Sequence, residues 1–333
     1  MRLGFYTDYS DDIARFAQDV GFRCLQLSAW PQSSLNADTI TDARIEEILT
    51  DLNERDIEIS ALGYYPNPLD ADLAVAEEAR RYLSKVVELA ERMGVSTVCT
   101  FAGQTQGRTV ADCLPAFAEV FEPVCAEAEA RNVRIGIENC PMKDHRTGHG
   151  ENIAYSPEIW DAMFDLVPSP ALGLQLDPSH LCYQQIDYIA AVQDYGHRIF
   201  HVHAKDVDID VRKRDRLGIF GQALGDLSGF GNGWWRFRAP GWGVIDWAAL
   251  ISALLDAEYS GNLDIEHEDE VFAAATLKEI GGEADIVEMF GREQNGLILG
   301  YRHLAQYVPP VEGAALLPGP KRVFGDAPAS TDA

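Results

Sequence analysis

The chain is short of basic residues, has no closely spaced cysteine pair and has no long apolar run. Each shortage removes a class of protein. Its 333 residues include 27 lysines and arginines against 53 aspartates and glutamates, a formal net charge of −26. A nucleic-acid binder needs a basic stripe to displace counterions from phosphates, and the same imbalance disfavours anionic membrane surfaces. Six cysteines occur and none forms a CxxC pair, so buried free thiols are expected rather than disulfides or a thiolate metal site. No apolar stretch approaches the roughly 20 residues that cross a bilayer. The opening MRLGFYTDYSDDIARF lacks the basic end and apolar run of a signal peptide. A cytoplasmic location is expected.

What is present is a repeating alternation. Strand-like runs fall near 2–7 (RLGFYT), 24–29, 57–62, 97–102, 134–140 (RIGIENC), 172–177 (LGLQLD), 199–204 (IFHVHA) and 262–267 (NLDIEH). Their apolar and often β-branched character suits strands covered on both faces, as in a parallel sheet. Amphipathic stretches lie between them. Over 72–93, Leu73, Ala76, Ala79, Leu83, Val86, Val87 and Ala90 keep helical spacing, and Gly94 follows as a stop. A second such stretch covers 112–131, and SPEIWDAMFDLV places Ser156 as a cap and Pro157 at the first helical position.

Eight strand–helix units predict a single (β/α)8 TIM barrel over 1–307, with a doubly wound sheet as the alternative. One long loop after strand seven, 207–245, has little periodicity, and a loop that long is a candidate lid or binding loop. A Pro/Gly/Ala-rich C-terminal tail follows over 308–333.

Polar residues gather where the last four strands end. Strand five presents Glu138 and strand six Asp177, with His180 three residues later. Strand seven presents His201, His203 and Lys205, and strand eight Glu266, His267 and Glu268. In barrels of this kind the C-terminal strand ends form the active face. A lone acid after a strand is commonly a helix cap, but four successive strands ending in Glu, Asp, His and Glu point to a shared ion, because buried carboxylates need a partner. Alternation along the strands favours His203 over the deeper His201, and Glu266 over His267. An oxygen-rich set of Glu138, Asp177, His203 and Glu266 suits Mn²⁺, Mg²⁺ or Co²⁺ better than a structural zinc.

With IENCPM, LDPSHL, HVHAKD, PGWGVIDW and GNLDIEHED in that order, the chain resembles the xylose-isomerase-like TIM barrels known as sugar phosphate isomerases/epimerases. The resemblance covers nearly all the chain before the tail. It implies one metal ion, manganese before magnesium or cobalt, held by Glu138, Asp177, His203 and Glu266, with His180 touching substrate beside it. One departure is Ile209, where ketohexose 3-epimerases carry a substrate-binding arginine six residues after HxH. More loosely, the chain is similar to the larger subunits of bacterial C-glycoside deglycosidases. That likeness implies a small second subunit and a histidine base after IENCPM, here His145 or His149.

The chemistry implied is proton abstraction next to a carbonyl through an enolate or enediolate, with His145, Glu138 and Glu266 as candidate catalytic groups. The leading expectation is cleavage of a 3-oxo-C-glycoside by elimination. A keto-sugar or inositol-type isomerase or epimerase is the alternative, and a non-catalytic binding subunit is a second one. Lys205 is read either as a structural partner of Asp206 or Glu268 or as a substrate contact. Trp234, with Trp235 beside it, is read either as stacking on a sugar or aglycone or as packing the long loop or a subunit interface.

Overall fold

Every expected strand forms, and each is short, most of them buried along their length. In the computed structural model, which describes residues 1–142, 150–224, 233–269, 271–272 and 286–309, eight parallel strands close into a barrel. In chain order these are β1 (Leu3–Thr7), β2 (Cys24–Ser28), β3 (Glu58–Gly63), β4 (Thr97–Thr100), β5 (Arg134–Glu138), β6 (Leu172–Leu176), β7 (Ile199–His203) and, after two further strands, β10 (Leu263–Ile265). Closure pairs β1 with β10, Leu3 opposite Leu263 and Gly4 opposite Asp264. A Cβ on Gly4 would stand 2.0 Å from Asp264 Oδ1, so this seam requires glycine.

Helices cover the outside: α1 (Asp11–Val20), α2 (Asp42–Glu54), α3 (Leu73–Met93), α4 (Val110–Ala130), α5 (Pro157–Leu166), α6 (Pro178–Tyr183), α7 (Tyr188–Tyr195), α8 (Val211–Leu217), α9 (Trp247–Asp256) and α10 (Ile286–Leu304). The α3 helix starts on Asp72, whose side chain accepts from Ala74 N, and stops on Gly94 in the left-handed conformation. It buries Ala76, Ala79, Leu83, Val86, Val87 and Ala90, each large side chain contributing about 1.5–3 kcal/mol. Leu73 departs from the expected stripe and is exposed, because it precedes the first buried turn. Ser156 stands at the start of α5 as expected, but its side chain makes no capping bond.

The described residues after β7, which leave out 225–232, are more regular than their aperiodic sequence predicts. Strand β8 (Asp206–Ile209) pairs antiparallel with β9 (Trp235–Arg238), and α8 lies between them. Asp206 fastens this excursion to the barrel. Its Oδ1 accepts from Val207 N and Ile245 N, and its Oδ2 accepts from Gly241 N and Trp247 Nε1. A Cβ on Gly243 would lie 2.2 Å from Asp206 Oδ1, which explains the glycine in PGWGVIDW. Among the described residues no helix is long and apolar enough to cross a membrane. All six cysteines are free, four of them buried and Cys140 and Cys182 half-buried. The tail from 310 onward and the segment 143–149, which carries His145 and His149, lie outside the described residues.

Candidate active site

Parallel pairing of β5, β6, β7 and β10 brings the four polar strand ends together. One ligand atom each from Glu138, Asp177, His203 and Glu266 lies within 4.8 Å of the others. His203 Nδ1 is 3.1 Å from Glu266 Oε2 and 3.3 Å from Glu138 Oε1. These residues form a possible metal-binding group, and one detail tests the fit. Asp177 is fully buried, yet its Oδ2 makes no hydrogen bond. The Lys205 ammonium, 3.2 Å away, offsets only part of the charge of three gathered carboxylates, and an oxygen-rich set with one histidine suits a divalent ion for the rest.

Asp177 resolves the choice between helix cap and ligand by doing both. Its Oδ1 accepts from Ser179 N at 2.8 Å and Ser179 Oγ at 2.6 Å, which starts α6, while Oδ2 faces the group. Pro178 occupies the first helical position, where no amide proton is needed. Asn139 sets the height of this corner. It donates to Asp177 O at 2.9 Å and accepts from Asp177 N at 2.7 Å. The asparagine of IENCPM carries no charge, so sequence reasoning passed over it.

Lys205 stands among the carboxylates, 2.5 Å from Glu266 Oε2, 2.8 Å from Glu268 Oε2 and 3.2 Å from Asp177 Oδ2. Its expected pairing with Glu268 is present. Asp206 instead holds the β8–β9 excursion, because successive side chains leave the strand on opposite sides. Burial opposes the Lys205 charge, but Asp177, Glu266 and Glu268 outweigh it and hold its pKa well above the ordinary value.

The two glutamates diverge. Burial, with Glu266 nearby, pushes Glu138 up to about 7. Burial acts likewise on Glu266, but Lys205 and His203 overcome it and hold this carboxyl well below the usual range. For His203 burial disfavours the charge, yet Glu266 and Glu138 raise it to about 10. His180 goes the other way, pushed down to about 3 by burial with Lys205 adding to it. Neither ring nitrogen of His180 has a hydrogen-bond partner, and Nε2 stays 3.5 Å from Asp177 Oδ2. A neutral, buried, unpaired imidazole at the edge of the group is equipped to meet a hydroxyl.

Aromatic rings wall the site. Phe237 from β9 lies edge-on to His180 at 5.2 Å, and Lys205 Nζ sits 4.4 Å from the Phe237 ring centre. Trp235, two residues earlier on the same strand face, stacks flat on Tyr183 at 3.9 Å. The structure therefore brings Trp235 and Phe237 to this wall. Trp234 is buried just before β9, its backbone oxygen accepting from Asp210 N. Tyr6 and Tyr65 face His203 from the first half of the barrel, with ring centres 6.1 and 6.4 Å away. No charge marked these tyrosines in the sequence. Only barrel closure shows them.

A closed eight-stranded barrel with carboxylates and histidine on its C-terminal face defines the class of protein. The chain belongs to the xylose isomerase-like TIM barrel family, whose model matches residues 14–290. It is 26% identical over 304 residues to the uncharacterized protein YfiH of Bacillus subtilis (strain 168), covering 81% of this chain and 93% of that protein. It is 30% identical over 133 residues to inosose dehydratase of Clostridium perfringens. That match covers only 39% of this chain and 42% of the enzyme. Among solved structures, D-psicose 3-epimerase of Clostridium cellulolyticum H10 superposes with a TM-score of 0.62 at 16% identity, covering 91% of this chain and 99% of the other, a likeness of fold.

Proposed function

We propose that this chain is a divalent-metal-dependent lyase. It removes a proton next to the carbonyl of a polyhydroxylated substrate and expels a group from the neighbouring carbon. The observation that carries the proposal is the four-residue group, with an Asp177 oxygen that accepts no hydrogen bond, beside a His180 whose ring nitrogens make none. Glu138, Asp177, His203 and Glu266 would hold the ion, with Mn²⁺ the first choice and Mg²⁺ or Co²⁺ next. Such an ion supplies Lewis acidity where negative charge builds on a carbonyl oxygen. His180 and Lys205 orient substrate hydroxyls, while Phe237 and the Trp235–Tyr183 stack exclude water from one side. The base we favour is His145 from the segment after β5, with Glu138 and Glu266 as the alternative carboxylates.

The substrate we favour is a 3-oxo-C-glycoside. The electron pair left by the C2 proton forms the C1–C2 double bond, and the C1–aglycone bond breaks with its pair on the aglycone carbon. That carbon takes up a proton, leaving an unsaturated keto-sugar, and a small second subunit would complete the enzyme. A second reading, dehydration or isomerisation of a keto-inositol or keto-sugar, is supported by the partial match to inosose dehydratase. Both begin with the same proton transfer. Incubation with 3-oxo-glycosides, inososes and keto-sugars in D₂O separates them. Released aglycone is the expected result, and loss of water supports the second reading. A new sugar deuterated at one carbon means isomerase or epimerase chemistry. No exchange in any substrate would leave a non-catalytic binding protein and end the proposal.

A further inference from the structure

Beneath the four-residue group the barrel carries a second polar layer that the proposed reaction does not use. Gln26, Gln175, His201 and Asp264 are buried in it. A continuous hydrogen-bonded chain crosses the interior. His201 Nε2 lies 2.6 Å from Asp264 Oδ2, and His201 Nδ1 lies 3.4 Å from Gln175 Nε2. Tyr65 OH is 2.9 Å from Gln175 Oε1 and 2.6 Å from Gln26 Nε2. Gln26 Oε1 then stands 2.5 Å from His203 Nε2.

The direction of every bond follows from the far end. The Asp264 carboxylate only accepts, and Ser60 Oγ and Cys24 Sγ also donate to it. His201 must therefore donate from Nε2, and its Nδ1 accepts. The atom facing that Nδ1 has to be the Gln175 amide nitrogen, whose second hydrogen points to Gln26 Oε1, also at 3.4 Å. Gln175 Oε1 is left for the Tyr65 hydroxyl to donate to. That hydroxyl accepts from Gln26 Nε2, which turns Gln26 Oε1 toward His203.

We infer that this one-way chain, anchored on Asp264 and delivered by Gln26, holds a proton on His203 Nε2 and so makes Nδ1, which faces Glu138 and Glu266, the nitrogen that gives up its proton to an ion. Gln26 is thus a positioning residue for the nitrogen that the proposed ion would use, and the inference rests on that metal reading. With the Gln26 amide turned over, an N–H would face His203 Nε2. Nε2 would then be the nitrogen left without its proton, and Nδ1 would keep its own between the two glutamates, against an incoming ion. Partners of this kind on ligating histidines change metal affinity by about 10–100-fold.

The test titrates Mn²⁺ alone into the full chain and its variants, and follows the His203 Nε2–H signal by NMR in Mg²⁺-loaded protein. Gln26→Leu is expected to weaken Mn²⁺ about 10–100-fold and to remove the protected Nε2–H signal. Gln26→Glu still accepts from His203 and is expected to keep both, and this contrast with Leu, which fills similar space, is what a merely space-filling role for Gln26 would not predict. Tyr65→Phe removes one oxygen from the middle of the chain, so it reads the same coupling if Gln26→Leu fails to fold, with a smaller loss expected. Unchanged Mn²⁺ affinity in Gln26→Leu or Tyr65→Phe, or equal losses in Gln26→Leu and Gln26→Glu, would overturn the inference and leave the metal reading intact. Wild-type chain that takes up no Mn²⁺ would overturn both.

Discussion

The two halves of the barrel solve different problems. Strands β5, β6, β7 and β10 end in Glu138, Asp177, His203 and Glu266, all charged or titratable. Strands β1 to β4 bring neutral groups toward the same centre: Tyr6 and Gln26 from their strands, and Tyr65 and Phe101 just past them. The second half therefore holds charge, and the first half supplies orientation and walls. A cluster of carboxylates in one half is tolerated because the neutral half adds no further charge and orders its hydrogen bonds in one direction.

Asn139 probes this division most strongly, since it is a neutral residue placed inside the charged half. Asn139→Ala leaves the buried amide and carbonyl of Asp177 without partners. The expected loss is about 1–3 kcal/mol for each unpaired group, visible as a lower Tm, with Mn²⁺ affinity falling as Asp177 Oδ2 moves. A variant with wild-type Tm and affinity would show that α6 alone holds Asp177.

The next effect concerns pH. With His203 raised to about 10 and Glu138 to about 7, both carry protons in the ion-free chain at neutral pH or just below. An ion must displace those protons, so affinity is expected to rise with pH. The slope is about tenfold per pH unit for each proton released, greatest below pH 7 where both are displaced. Calorimetry in buffers of different ionisation enthalpy counts the protons, and affinity flat between pH 6 and 9 would contradict the described charge states.

How far the sequence reached follows the same division. Apolar runs bounded by turns located all eight barrel strands, because strands buried on both faces are continuous stretches of Val, Ile and Leu. Glu138, Asp177, His203 and Glu266 were legible because a charged side chain at the end of a buried strand must meet a counter-charge or an ion. Gln26, Tyr65 and Asn139 were not. Each is neutral and unremarkable in its own run, and its role exists only through a partner 38 to 177 residues away. The β8–β9 excursion was hidden for a related reason, since its order depends on four bonds to Asp206 rather than on periodicity. Between Trp234 and Trp235 the sequence offered no choice, and strand pairing decided which of them meets Tyr183.

Whether one divalent ion belongs to the group formed by the four strand ends is decided most directly by metal binding. Mn²⁺ stoichiometry and affinity are measured in wild-type chain, Glu138→Gln and Asp177→Asn, with circular dichroism showing that each is folded. The expected result is about one ion per wild-type chain and affinity at least about 100-fold weaker in both variants. Folded variants that bind Mn²⁺ as tightly as wild type, or a wild-type chain fully active without any ion, would contradict it.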